Sequence, residues 1–257
     1  MQNLNIALVQ TSIEWEAVKA NLVAIENKLQ KVNGVDLIVL PEMFTTGFSM
    51  NVEKFSEPMN GPTMLWMHRQ ADKHDCVIAG SLIIEENGKY YNRLIWMKPD
   101  GTALHYDKRH LFRMADENNY FDAGQSRMQV FLKGWKICPL ICYDLRFPVW
   151  SRNYMLEYDL LLYIANWPQR RELHWKSLLQ ARAIENQAYV AGLNRVGQDG
   201  NGLIYNGHSM VISPRGEHII AANQDEDILQ VELDYLALQQ YRKEFPAYKD
   251  ADDFEIK

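Results

Sequence analysis

The sequence is poor in cysteine and has no pattern of metal-binding residues. Cys76, Cys138 and Cys142 are the three cysteines in 257 residues, and no C-x-x-C pair or Cys/His cluster has zinc-site spacing. Cys138 and Cys142 fall on one predicted strand, where they are badly placed to bridge each other. We therefore expect free thiols, no bound metal and a reducing compartment, which predicts a cytoplasmic protein.

The sequence also lacks long apolar runs, basic blocks and glycine-rich loops. No run approaches the length that spans a bilayer, and residues 1–5 lack the basic-then-apolar order of a secretory signal. A formal net charge of -6 without a lysine or arginine block disfavours a nucleic-acid surface. Because no phosphate-binding loop is visible, we expect no cofactor. These absences favour a protein that acts on a small molecule, without a nucleic-acid or membrane partner.

What the sequence does have is an alternation of apolar runs, which predict strands, with amphipathic segments, which predict helices. Turn sequences at 87–88 and 99–101 predict hairpins, and therefore antiparallel pairing. Because no repeat or linker interrupts the chain, we expect one α/β domain over residues 1–257, a mixed sheet system covered by helices. Strands are predicted at 4–10, 35–40, 76–84, 90–98, 103–106, 134–141, 158–165, 189–194, 209–213, 218–222 and 228–233. Helices are predicted at 15–32, 63–74, 148–155, 173–187 and 235–244.

Three of these strands end at residues with reactive side chains, Glu42, Lys108 and Cys142. Taken one at a time, the cysteine is explained as a small buried hydrophobe and the charged residues as solvated surface groups. If the fold brings them into one cleft, a thiolate can attack, a carboxylate can move the proton, and an ammonium can stabilise an oxyanion. That set is sufficient for acyl transfer without histidine.

Around these residues the sequence resembles the signature blocks of the nitrilase, or carbon-nitrogen hydrolase, superfamily. The blocks are LPEMF at 40–44, YDKRHLF at 106–112 and CYDLRFP at 142–148, and their order and spacing strengthen the resemblance. Further similarity at 182–190 and 207–209 extends it over nearly the whole chain. The resemblance implies an α/β fold built as a four-layer αββα sandwich of two mixed sheets.

The same resemblance implies roles for individual residues. Glu42 would be the general base, Lys108 the oxyanion-stabilising cation and Cys142 the nucleophile. Many members add a second glutamate after the lysine block, and Glu117 matches that position more loosely. The backbone N–H of Tyr143, directly after the nucleophile, would be the second oxyanion donor.

Within the superfamily, the cysteine block together with ANWP at 165–168 is similar to the omega-amidase branch. That similarity implies hydrolysis of the terminal amide of α-keto acid amides, such as 2-oxoglutaramate or 2-oxosuccinamate. N-carbamoyl amino acids, nitriles and deaminated peptide-like amides remain alternative substrates. A redox-sensing thiol and a non-catalytic scaffold of the same fold are alternatives of a different class.

Such a substrate carries a carboxylate, for which an arginine is the best-suited partner. Arg146 is the arginine nearest to the nucleophile in the sequence, and it is our candidate. The competing interpretation is a structural ion pair with Asp144 or Glu185. The sequence alone does not decide between the two.

The remaining predictions concern the pocket wall and assembly. Asn166 and Trp167 follow a buried strand and are expected on one wall, although a core or interface position also suits a tryptophan. Phe44 and Phe48 are candidates for the opposite wall. The resemblance implies a homodimer or larger homo-oligomer, and the apolar stretches 147–150 and 174–175 could form its contact or lie in the chain's own core.

Overall fold

The computed structural model describes residues 2–253 and 255. Its strands are β1 (Leu4–Gln10), β2 (Leu37–Val39), β3 (Val77–Glu86), β4 (Lys89–Met97), β5 (Ala103–Asp107), β6 (Val130–Leu132), β7 (Trp135–Ile141), β8 (Leu160–Ala165), β9 (Tyr189–Asn194), β10 (Val196–Gln198), β11 (Ile204–Asn206), β12 (Met210–Ile212), β13 (His218–Ala221) and β14 (Asp227–Leu233). Its helices are α1 (Val18–Leu29), α2 (Val52–Phe55), α3 (Pro62–His74), α4 (Glu117–Tyr120), α5 (Pro148–Ser151), α6 (Glu172–Asn186) and α7 (Tyr235–Glu244). No helix in this part of the chain is both long and apolar enough for a membrane span.

The strands form two six-stranded mixed sheets and a small hairpin. The first sheet has the order β14-β1-β2-β3-β4-β5, and the second has the order β13-β12-β9-β8-β7-β6. In the first sheet β1, β2 and β3 run parallel, and in the second β7, β8 and β9 run parallel, while the outer pairs are antiparallel. The predicted pair of mixed sheets is therefore confirmed.

Burial on both faces explains why the central strands are apolar almost without interruption. In β1, Ile6 and Leu8 face a core shared with the second sheet, whereas Ala7 and Val9 face a core under helices α1 and α3. On the far side of the second sheet, α6 contributes buried apolar residues such as Leu179 to the shared cluster. The layers are helix, sheet, sheet and helix, as the αββα prediction required.

The structure adds the short elements α2, α4 and β6, which were not predicted, and it differs from the local predictions at two further places. Residues 148–155 form only the four-residue helix α5 followed by an irregular turn. The reason is Asn153, whose side chain accepts from the backbone N–H of Tyr158 at 3.0 Å and donates to its carbonyl at 2.9 Å, so that the chain turns instead of continuing the helix. The second difference is the hairpin β10–β11, which lies where the sequence predicted neither a strand nor a helix.

Candidate active site

Four ionisable side chains meet at the ends of elements from both sheets. Glu42 lies beyond the end of β2, Lys108 directly follows β5 and Cys142 directly follows β7, while Glu117 is the first residue of α4. All four are buried. Because β2 and β5 belong to the first sheet and β7 to the second, stacking of the sheets creates the cluster. The structure thus brings together the four residues singled out as catalytic in the sequence.

The ammonium of Lys108 lies between two carboxylates. Its Nζ donates to Glu42 Oε1 at 2.8 Å and to Glu117 Oε1 and Oε2 at 2.9 and 3.0 Å. Asn92 Nδ2 donates to the same two groups, at 2.9 Å to Glu42 and 3.2 Å to Glu117. Gly124 packs directly against the backbone before Lys108, where a Cβ would lie 2.1 Å from a carbonyl oxygen. The lysine is therefore fixed at both its backbone and its ammonium.

Burial and charge pairing set the protonation of this cluster. Burial disfavours the charged form of Lys108, but attraction to Glu117 and Glu42 outweighs it and holds the pKa of the ammonium well above its usual value. Burial also raises the pKa of Glu117, with Lys108 opposing the shift and repulsion from Glu42 adding to it. The lysine is therefore charged although it is buried.

Cys142 stands at the sharp turn between β7 and the 3₁₀-helix Cys142–Arg146. Its φ of 43° is in the left-handed region, a strained conformation typical of nucleophiles presented at a strand-to-helix turn. Burial, together with the negative charge of Glu42, raises the pKa of the thiol well above its usual value, although Lys108 opposes the shift. The resting side chain is therefore a thiol, and a base must accept its proton when the sulfur attacks.

Asp144 holds this turn from the inside of the protein. Its buried Oδ2 accepts from the backbone N–H of Ile141 at 3.0 Å and from the hydroxyl of Tyr106 at 2.8 Å. Its Oδ1 accepts from the backbone N–H of His110 at 3.1 Å and lies 2.7 Å from the Nδ1 of that residue. One carboxylate thus ties the cysteine turn to the segments on either side of Lys108.

Asn166, expected on the pocket wall, also fixes the orientation of Glu42. Its backbone N–H donates to Glu42 Oε2 at 2.8 Å, and its Nδ2 donates to the backbone oxygen of Glu42 at 2.7 Å. The Asn166 carbonyl lies 3.9 Å from Cys142 Sγ. Because Asn166 follows β8 of the second sheet, these contacts join the two sheets at the carboxylate.

A cavity opens over Cys142 and Lys108, and its wall combines aromatic and apolar side chains with arginines. The ring of Phe48 lies 5.0 Å from Lys108 Nζ. The indole of Trp167 lines the cavity and also packs on Trp175 of the chain's own core, with ring centroids 5.5 Å apart. The aromatic and apolar lining residues are Phe48, Phe112, Ala115, Tyr143, Trp167, Pro168, Leu203 and Tyr205.

Phe44 is not brought to this cavity. Its side chain is fully buried in the core under α3, where its ring lies 5.9 Å from that of Trp66. Gly80 provides the space, since a Cβ there would come within 2.9 Å of the Phe44 ring. Phe48 does line the cavity, together with residues that the sequence did not single out as pocket residues, such as Phe112 and Tyr205.

The other lining residues of note are three arginines, Arg146, Arg170 and Arg171. The guanidinium carbon of Arg146 lies 4.7 Å from the centre of the Trp167 ring, and its Nη2 is 3.0 Å from His174 Nδ1. Neither ion pair considered for Arg146 is present in the described residues. Glu185 pairs with Arg182 at 2.8 Å, and Asp144 is engaged as described above.

The described residues contain no group of three or more histidine, cysteine, aspartate or glutamate side chains that could hold a metal ion.

Comparison with known proteins gives the family. The protein-family model described as carbon-nitrogen hydrolase matches residues 5–243. The chain belongs to the carbon-nitrogen hydrolase family. It is thus a hydrolase that acts on non-peptide carbon–nitrogen bonds, as the sequence predicted.

Two relatives of this carbon-nitrogen hydrolase cover 95% or more of its chain. The omega-amidase YafV of Escherichia coli strain K12 is 49% identical over 257 residues, which are 100% of both chains. The 2-oxoglutaramate amidase of Bacillus subtilis strain 168 is 34% identical over 250 residues, 95% of this chain and 96% of the relative. Among solved structures, XC1258 of Xanthomonas campestris, a CN-hydrolase superfamily protein with an arsenic adduct in its active site, has a TM-score of 0.98 at 42% identity, with 100% of both chains covered.

Proposed function

We propose that this hydrolase is an omega-amidase, which converts small α-keto acid amides such as 2-oxoglutaramate or 2-oxosuccinamate to the keto acid and ammonia. The observation that carries the proposal is the buried Glu42, Lys108 and Glu117 cluster beside Cys142, at the floor of a cavity lined by arginines. The cluster supports amide hydrolysis, and the cationic wall supports an anionic substrate. The names of the two relatives, omega-amidase and 2-oxoglutaramate amidase, support the same substrate class.

In the first half of the reaction, Glu42 takes the thiol proton as Cys142 Sγ bonds to the amide carbon. The carbonyl electron pair moves to oxygen, and the resulting oxyanion is stabilised by the Lys108 ammonium and the backbone N–H of Tyr143. That N–H lies at the start of a helix, where it has no intrahelical partner. Glu42 then gives the proton to nitrogen, the C–N bond breaks, ammonia leaves, and a thioester remains.

In the second half, water enters the position that ammonia vacated. Glu42 takes a proton from the water as its oxygen bonds to the thioester carbon, and the same donors stabilise the second oxyanion. The C–S bond then breaks, the proton returns to Cys142, and the keto acid leaves. Glu117 contributes by holding Lys108 through both of its oxygens, so that the ammonium stays aimed at the oxyanion.

The substrate carboxylate is assigned to Arg146, which stacks on Trp167 and has no acidic partner in the described residues. A guanidinium without an acid partner can form a charge-assisted pair with a carboxylate. The ring of Trp167 then supports the guanidinium by stacking against it and forms part of the pocket wall, while Asn166 keeps Glu42 oriented.

Steady-state release of ammonia across a substrate panel tests the proposed function. We expect α-keto acid ω-amides to give a higher kcat/KM than simple amides, and higher than nitriles or N-carbamoyl amino acids. Equal values for every class would contradict an omega-amidase. A preference for N-carbamoyl amino acids, nitriles or another amide would favour one of the alternatives within the family.

The role of Arg146 is tested separately with Arg146→Met. Removing an arginine that pairs with a desolvated carboxylate is expected to lower kcat/KM by a factor that corresponds to a loss of roughly 2–5 kcal/mol of transition-state stabilisation. The loss should appear with the keto acid amide and be much smaller with its methyl ester, which lacks the charge. If the ratio of kcat/KM for the keto acid amide to kcat/KM for its methyl ester is the same in Arg146→Met as in the wild type, and the variant melts at a lower temperature, Arg146 is a structural residue.

We further propose that the chain functions as one domain, in the cytoplasm, and as a homodimer. The free thiols Cys76, Cys138 and Cys142 support a reducing compartment. Exposed apolar side chains on the helices that cover the second sheet support a contact between two copies, because isolated surface helices do not need them.

A further inference from the structure

Three arginines on the wall of the active-site cavity have no acidic partner among the described residues, whereas the two glutamates of the catalytic cluster are paired with Lys108. Arg146, Arg170 and Arg171 line the cavity, and within residues 2–253 and 255 no aspartate or glutamate does. Glu172, the next residue in the chain, is held by the side chains of Lys176 and Asn206. The excess charge is more than one substrate carboxylate requires, and Arg170 and Arg171 have no role in the mechanism above.

Arg171 is held in place at the cavity. Its backbone oxygen accepts from Trp167 Nε1 at 2.8 Å, and its guanidinium carbon lies 5.2 Å from the centre of the Phe112 ring. Burial lowers the pKa of Arg171, and repulsion from Arg170 and Arg146 lowers it further, which indicates that the three charges interact. Neither Arg170 nor Arg171 forms an ion pair within the described part of the chain. Arg170 is the more exposed of the two, so its field is screened more strongly.

The substrate's chemistry gives these charges a use. In an ω-amide of this class, the carboxylate and the α-substituent are on neighbouring carbon atoms, so a carboxylate on Arg146 brings the α-substituent into the arginine-lined part of the cavity. A keto oxygen accepts hydrogen bonds, and a guanidinium only donates them. An α-ammonium also only donates and carries a like charge, for which this wall has no partner.

We propose that Arg170 and Arg171 select α-keto acid amides against the corresponding α-amino acid amides, by donating to the keto oxygen and repelling an α-ammonium. The inference rests on the proposed omega-amidase function and adds a specificity filter to it. Glutamine has the same carbon chain and terminal amide as 2-oxoglutaramate, and it differs at the α-carbon alone. Catalytic residues that act only on the amide cannot distinguish the two compounds, whereas charge at the α-carbon can.

The test compares kcat/KM for 2-oxoglutaramate, glutaramate and glutamine, of which glutaramate has an uncharged methylene at the α-position. The wild type should prefer glutaramate to glutamine. In Arg171→Gln the glutamine-to-glutaramate ratio should rise by roughly ten- to a hundredfold, the range for one like charge about 6 Å away at an effective dielectric constant of about 40 to 20. Arg170→Gln should raise it less, Arg171→Lys should preserve the discrimination, and the matched charge control Arg69→Gln, on α3 outside the cavity, should leave the ratio unchanged.

The dependence of the ratio on salt gives a second readout. Because screening weakens repulsion, the wild-type preference for glutaramate over glutamine should fall as ionic strength rises, and this dependence should weaken in Arg171→Gln. A ratio that stays the same in both arginine variants, or a wild-type ratio indifferent to salt, would overturn the charge filter while leaving the amidase intact. If wild-type protein hydrolyses neither glutaramate nor 2-oxoglutaramate, the proposed function itself fails.

Discussion

Two cysteines on one strand illustrate that neighbours, more than burial, make a residue reactive. Cys138 lies inside β7, and burial raises the pKa of its thiol to about 12. Burial also raises the pKa of Cys142, at the end of the same strand, yet this thiol has the carboxylate of Glu42 and the ammonium of Lys108 beside it. A buried thiol with a base can lose its proton during attack, and one without a base stays inert.

This contrast provides the first prediction, with its own matched control. Cys142→Ala should abolish ammonia release and leave the fold intact, because only the nucleophile is lost. Cys138→Ala should keep near-wild-type kcat while losing about 1 kcal/mol of stability through the missing core atom. Steady-state assays and thermal unfolding of both variants measure this. Wild-type turnover by Cys142→Ala would rule out the covalent mechanism.

The second prediction concerns the two glutamates on either side of Lys108. Glu42→Gln keeps the shape and removes the proposed base, so kcat should fall by roughly two to four orders of magnitude. Glu117→Gln should also reduce it, since the lysine loses a charged partner. Because Lys108 contacts both carboxylates and the three residues form one unit, the double variant should be far less impaired than the product of the single effects. Fully additive losses would mean that the two carboxylates work independently.

The sequence reveals the ionisable residues of the site but not what orients them. Glu42, Lys108 and Cys142 are recognisable because each lies in a signature block at a strand end. Asn166 holds Glu42 from 124 positions away, and nothing local in a sequence encodes such a contact. Phe44 was a candidate for the pocket wall, but its ring lies in the core, next to Met43, whose backbone is left-handed with φ of 45°.

At the scale of elements, the cysteine turn depends on one buried carboxylate. Asp144 accepts from donors on the strand before the turn and on the segments around Lys108. The backbone of Cys142 is strained, and such a conformation persists only where surrounding contacts impose it. Strand-end position and side-chain anchoring therefore act together in presenting the sulfur.

The third prediction removes this anchor. Asp144→Ala leaves buried donors of Ile141, Tyr106 and His110 without their acceptor, so unfolding free energy should fall by roughly 3–5 kcal/mol, with activity lost as well. Asp225→Ala, an exposed acidic position, is the control and should change stability by less than about 0.5 kcal/mol. Chemical denaturation measures both. A near-neutral Asp144→Ala would mean that the turn is held by the backbone alone.

Element predictions succeeded where burial leaves a strong pattern. The central strands are apolar on both faces, so their runs are unmistakable in the sequence. The hairpin β10–β11 was missed because it is short and glycine-rich, and its stability comes from distant contacts. One of these is the guanidinium of Arg195, which donates to the carbonyl of Ile13 at 2.8 Å.

For the whole molecule, the site is a product of sheet stacking. Glu42 and Lys108 come from the first sheet, and Cys142 and Asn166 from the second, so neither sheet holds a complete cluster. Helices cover the outer face of each sheet. On the helices over the second sheet, Trp150 and Trp175 are buried in the chain's own core, which is one of the two positions considered from the sequence.

Other residues of these helices remain uncovered and give the last prediction, that two copies associate through them. Val149, Leu173 and Ile184 are 55%, 74% and 49% exposed on α5 and α6, more apolar surface than a solvated helix needs. Light scattering at micromolar concentration should therefore report twice the mass of one chain.

Charge placed on that surface should separate the copies, since a buried unpaired carboxylate is strongly disfavoured. The double variant Leu173→Glu and Ile184→Glu should give the mass of a single chain with unchanged far-ultraviolet circular dichroism. Leu236→Glu, at an equally exposed position on α7, is the control and should remain dimeric. A single-chain mass for wild type would contradict the dimer. A dimeric double variant would instead exclude this surface as the interface, because two buried carboxylates could not be accommodated there.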